Sequence, residues 1–245
     1  MRSALAVTGI AIALLSNGCM KVHIDTVIVA DGSGTAAVSF GMNRQVADAV
    51  ARLGDLDDGG GDEQDLAALT DLDRDELAAA CAEAGVRVVS HAFTDDITGV
   101  TFELELSFDR VADLSHALST LSSDAVARPG EELRIIHTEA DEYLLANAAI
   151  EGAEIPEPAA DANRPSSPEF LMNFMVLLDH VDELDIRRTI TVPGEVISSN
   201  AREVEGRTSI WVINAANMLE EDDSGLDPHI VFAAEGVEIP APDVR

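Results

Sequence analysis

The stretch GVTFELELSF, residues 99–108, runs directly into DRVADLSHALSTL, residues 109–121, and together they decide the fold class. In the first, Val100, Phe102, Leu104, Leu106 and Phe108 alternate with Thr101, Glu103, Glu105 and Ser107. A strict period of two describes a strand with one buried face and one wet face. The second changes period. Val111, Leu114, Leu118 and Leu121 recur at spacings of three and four, which marks an amphipathic helix. A half-buried strand that leads into a helix with one apolar side predicts an α+β domain, with helices packed on an antiparallel sheet.

The flanking segments extend this pattern. Val22, Ile24, Thr26 and Ile28 alternate along one strand, Asp31-Gly32-Ser33-Gly34 turns the chain, and Val38, Phe40 and Met42 line a second strand. Asn43 is placed to cap a helix carrying Val46 and Val50. An acidic, glycine-rich loop follows near 54–64, then a helical stretch over 64–84 closed by Gly85. Val86–Thr94 reads as a strand and Asp95-Asp96 as its turn. Glu132–His137 and Glu142–Ile150 suit a hairpin, although the second piece is equally compatible with a helix. The segment near 151–169, with Pro156, Pro158, Pro165 and Pro168, is a loop. Phe170–Leu178 suits a helix, with Leu171, Phe174, Met175 and Leu178 on a shared face. Leu184–Val192 and Thr208–Ile213 are further strands, Arg188 interrupting the apolar side of the former. A short helix near Asn217–Glu221 and a strand at His229–Ala233 complete the expected elements.

The N-terminal MRSALAVTGIAIALLSNGC has a positive residue, an apolar run over Ala4–Leu15, small and polar residues, and then Cys19. This is the layout of a signal peptide over 1–18, and the run is short for a membrane span. A cysteine directly after Gly18 predicts lipid attachment at Cys19, as in bacterial lipoproteins; Ser16 stands where such signals usually carry leucine. An ordinary secreted protein and an N-terminal membrane anchor are the alternative readings. Residues 19–245 are then a single domain. The full sequence has 46 acidic side chains against 15 Lys and Arg, a net charge of −31. Such a surface repels phosphate backbones and excludes direct nucleic-acid binding as a function class. The other cysteine, Cys81, lies among alanines and Leu77 in a helical pattern and reads as a buried, inert thiol.

Two blocks resemble a known family. One contains Val192-Pro193-Gly194, Asn200, Val204-Glu205-Gly206 and Trp211. The other contains Gly18-Cys19, Val29-Ala30-Asp31-Gly32 and a serine-bearing second strand. Spanning roughly 184–215 and 18–42, they resemble bacterial envelope lipoproteins of the LppM type. The resemblance implies a lipidated α+β domain with a curved sheet and a role in the cell envelope, with a lipid or another hydrophobic ligand. It carries over no catalytic residue.

Chemistry-bearing motifs are sparse. The six histidines form neither an HExxH pair nor a zinc-spaced cluster, and there is no GxSxG elbow, P-loop or dinucleotide fingerprint. Asp55-Leu56-Asp57-Asp58-Gly59 matches a calcium loop only in its first positions. The expectation is therefore a non-enzymatic envelope lipoprotein without cofactor or metal. It is held to the membrane by lipid at Cys19, at the outer membrane if the cell has one. A lipid-like ligand would lie in a groove lined by Phe40, Phe102 or Trp211. For Trp211 a core role is the simpler reading. An assembly factor that binds an envelope protein is the alternative, and a hydrolase with dispersed acids the third reading.

Overall fold

The computed structural model describes residues 20–55, 74–121, 131–138, 141–149, 168–217 and 227–240. Residues 1–19, most of the acidic loop and nearly all of the Pro-rich loop lie outside the described residues, as does Cys19. The chain runs through β1 (Met20–Ile28), β2 (Gly34–Asn43), α1 (Arg44–Asp55), α2 (Arg74–Glu83), β3 (Val86–Asp96) and β4 (Gly99–Phe108). It continues with α3 (Val111–Leu121), β5 (Glu131–His137), β6 (Glu142–Ala149) and α4 (Pro168–Asp179). A single 3-10 turn, Val181–Glu183, precedes β7 (Leu184–Thr191). Then come β8 (Val196–Ser199), β9 (Glu203–Glu205), β10 (Thr208–Asn214) and β11 (His229–Ala233).

The fold is mixed α+β with two open sheets. Seven strands form one sheet in the order β3-β4-β2-β1-β7-β10-β9, and four form the other in the order β5-β6-β11-β8. The expected antiparallel arrangement needs one correction: β1 and β7 pair in parallel, from Met20 opposite Leu184 to Val27 opposite Thr191. A parallel pair needs a long crossover, and the helices and second hairpin between β2 and β7 supply it. Local periodicity carries no information about that pairing.

Local chemistry accounts for several boundaries. Asn43 caps α1, its Oδ1 accepting from Val46 N at 2.9 Å. Gly85 ends α2 with a positive φ of 81°. Pro168 opens α4, where its missing N–H costs nothing. The turn expected at Asp95-Asp96 lies two residues later, at Ile97-Thr98, because β3 pairs through Asp96 opposite Gly99. Residues 142–149 pair with β5 and β11 and are a strand. The polar stretch after Pro193-Gly194 contains the short strands β8 and β9. The helix expected near 217–221 falls largely outside the described residues, and residues 215–217 form a turn.

Most of the core is one cluster. Ile28, Ala36, Leu104, Leu106, Phe108 and Ile190 come from the large sheet. Leu77 and Cys81 of α2, Leu114 and Ala117 of α3, and Leu145, Ile230 and Phe232 of the second sheet meet them. A smaller cluster joins Met42 and Val100 of the large sheet to Val46 and Ala47 of α1, with Leu177 of α4 against it. On α4, Leu177 turns inward, whereas Met175 and Leu178, two of the residues expected on a shared face, are exposed.

Candidate functional site

The pairing registers align side chains in rows across one face of the large sheet. One row reads Phe93–Phe102–Phe40–Val22–Ile186–Ile213, from β3 through β4, β2, β1 and β7 to β10. All six are apolar and all six are partly exposed. The rows around it behave differently. Toward one end, Val100 and Met42 are buried where α1 packs on β2 and β4. Two rows in the other direction, Leu106, Ala36, Thr26, Ile190 and Ser209 are buried under the elements of the main cluster. The apolar row thus runs between the two covered ends. Phe102 packs against the main cluster, and Phe40 and Phe93 against the smaller one. Five strand spacings of about 4.8 Å give the strip a length of roughly 24 Å.

A β-bulge completes the strip. The β3–β4 register shifts between Val88 and Ser90, leaving Val89 as the extra residue. Without that insertion, Val86 and Val88 would be followed on this face by Ser90 and Ala92. With it, His91 stands opposite Leu104 and Phe93 opposite Phe102. The signal is present in the sequence as a break in alternation between Val88 and His91.

The adjoining row, His91–Leu104–Val38–Ile24–Arg188–Trp211, adds the polar groups. His91 meets Phe102 edge to face, with ring centroids 5.4 Å apart. Its Nε2 is enclosed and has no hydrogen-bond partner among the described residues. Desolvation pulls the Arg188 guanidinium down to about 10, opposed by the charge of Asp227, so it stays a cation at neutral pH. Asp227 Oδ1 accepts from Asn147 Nδ2 at 3.2 Å, and Asp227 O accepts from Asn200 Nδ2 at 2.9 Å. Asn200 Oδ1 accepts from Trp211 Nε1 at 3.3 Å and from His229 N at 2.9 Å. This network ties the large sheet to the second one.

Phe40 and Phe102 are therefore direct register partners on the strip. Trp211 is brought into the next row and is only 2% exposed, its indole N–H held by Asn200. Val22, Ile186, Phe93 and Ile213 are strip residues that periodicity alone did not single out, because the strip exists only once six strands are in register. On the opposite, wet face, His23 Nε2 lies 3.1 Å from Asp185 Oδ2. Among the described residues, no group of three or more His, Cys, Asp or Glu side chains could hold a metal ion, and no helix is long and apolar enough to cross a membrane.

No family model matches the chain, and no curated protein matches it. Among solved structures, the chain is similar to the folded domain of LppM from Mycobacterium tuberculosis, determined by NMR. The two are 13% identical, with a TM-score of 0.43, over 95% of this chain and 98% of that one.

Proposed function

We propose that this protein is a non-enzymatic envelope lipoprotein, anchored through Cys19, that binds an elongated lipid-like molecule along the strip from Phe93 to Ile213. The observation that carries the reading is the row itself. Six neighbouring apolar side chains are left partly open on the face that the rest of the fold uses as its core. Scattered exposed apolar residues need no explanation, but a contiguous apolar band between covered flanks does. Its length suits an extended hydrocarbon chain better than a compact ligand. Covering it would return the hydrophobic free energy that the fold leaves unrealised there.

The single tryptophan provides the test. Trp211 is in the row beside the strip, so a brominated long-chain fatty acid lying along it comes close enough to quench the indole. The mature chain is titrated with that probe while Trp211 fluorescence is followed. Saturable quenching at one molecule per chain is expected, and it should survive moderate salt because apolar burial is not screened. Quenching that never saturates, or that salt abolishes, would remove the support for a lipid site. Esterase and phosphatase assays on the same sample decide between binding and hydrolysis: turnover above a denatured control would replace the non-enzymatic reading.

A further inference from the structure

The three most exposed large apolar side chains among the described residues are Ile97 at 93%, Met172 at 70% and Met175 at 56%. All three belong to elements at one end of the large sheet. Ile97 is in the β3–β4 turn, two residues before Gly99, which pairs with Asn43; the neighbouring Met42 pairs with Met20. α4 reaches the same end. Its Leu177 packs against the cluster that includes Met42, with Met20 alongside. The chain then passes through Val181–Glu183 to Leu184, the register partner of Met20.

Neither element presents these side chains loosely. Thr98 N donates to Asp96 Oδ1 at 2.7 Å, the Thr98 hydroxyl donates to the same oxygen, and Arg44 N donates to Thr98 O at 3.1 Å. The Arg44 guanidinium donates to the Asp95 carboxylate and to the Asp96 carbonyl. A turn pinned on both sides thus holds an isoleucine in water. On α4, Met172, Met175 and Leu178 follow at intervals of three and share an outward arc away from Leu177.

Met20 directly follows Cys19 and is already paired in β1. On the lipoprotein reading above, on which this inference rests, there is no linker between the acylated residue and the sheet. One residue of extended chain spans only about 3.5 Å. The end carrying Ile97 and α4 is then held at the bilayer. We propose that this end is a bilayer-contacting surface, with Ile97, Met172, Met175 and Leu178 entering the boundary between head groups and acyl chains. Depths of roughly 5–10 Å are usual for such apolar faces. The net charge of −31 selects a surface of neutral head groups, since anionic ones would repel the domain.

The test uses the full mature chain with its native N-terminal modification, in phosphatidylcholine vesicles whose acyl chains carry bromine. Bimane is attached in turn at Ile97→Cys, Met175→Cys and Val204→Cys, the buried Cys81 staying unlabelled in the folded state. Val204 is 46% exposed and lies on β9, where its β10 partner Ser209 pairs with Ile190 near the far end of β7. Intact mass of the same samples reads acylation of Cys19. Strong quenching at residues 97 and 175, with none at 204, is the expected result. Acylated protein without quenching at 97 and 175 overturns the contact surface and leaves the lipoprotein reading standing. Equal quenching at all three positions also overturns it. An unmodified Cys19 overturns both.

Discussion

Phe102 and Leu106 are on the same face of the same strand, yet they should fail in different ways. Leu106 is fully buried in the main cluster, so Leu106→Ala leaves a cavity and should cost about 3–5 kcal/mol. Phe102 is partly exposed, with His91 edge-on against its ring. Its truncation should cost less, about 1–3 kcal/mol, because part of the ring never left water. The open part of the ring is the part a ligand would cover. An aromatic side chain buries roughly 150–250 Å² when fully enclosed, so a quarter of it is about 50 Å². At about 25 cal/mol per Å² this is worth about 1.2 kcal/mol, close to an eightfold change in Kd. Urea melts followed through Trp211 measure the first quantity, and titration with a fluorescent fatty acid in the absence of urea measures the second. Phe102→Ala should weaken the probe severalfold at a modest stability cost, and Leu106→Ala should do the reverse. Equal stability losses with unchanged probe affinity would show Phe102 to be ordinary core. Equal affinity losses would show the probe reporting a loosened fold.

Further outcomes follow from other contacts. Asn43→Ala removes the α1 cap and should cost about 1 kcal/mol in the same melts, with Asn43→Asp recovering most of it. Asn200→Ala removes the acceptor shared by Trp211 and His229 and the donor to Asp227; a loss of about 1–3 kcal/mol is expected, and a silent substitution would mean that the network does not join the sheets. Burial pushes the Cys81 thiol above its ordinary value. The folded state therefore holds that proton longer than the unfolded one. The contribution is fully present below the unfolded thiol pKa and is lost as pH rises through the folded value. Cys81→Ala should flatten that alkaline slope in melts taken between neutral and alkaline pH, and an unchanged slope would assign it to other groups.

Legibility in the sequence tracked the range of the interaction. β4 and α3 declared themselves because one face of each is consistently apolar over at least three turns or pleats, and β1–β2 because a glycine-bearing turn separates two alternating runs. The Asn43 cap, a contact across three residues, was equally visible. The parallel partner of β1 was not, since Leu184–Thr191 carries nothing that names Met20–Val27 as its neighbour. Arg188 shows the same limit. In the sequence it breaks an apolar face; in the fold it stands between Ile24 and Trp211 with Asp227 nearby. The strip was half legible. Phe40 and Phe102 are candidate groove residues from the sequence, but only six strands in register join them to Val22, Ile186, Phe93 and Ile213.

The position of β1 also has a kinetic consequence. Its antiparallel neighbour β2 arrives after a short turn, and β3 and β4 can add by residue 108. Its other neighbour, β7, is about 160 residues away, the distance that separates His23 from Asp185. Closing a loop of that length costs roughly 4–5 kcal/mol of chain entropy before any β7 contact forms. A four-stranded antiparallel sheet in the order β3-β4-β2-β1 can therefore assemble while one whole side of its first strand still shows open N–H and C=O groups. Until Leu184–Thr191 has been made and docked, that side is a template for any other extended segment, including the β7 of a neighbouring molecule. The step that closes the sheet is also the step most open to strand exchange between copies.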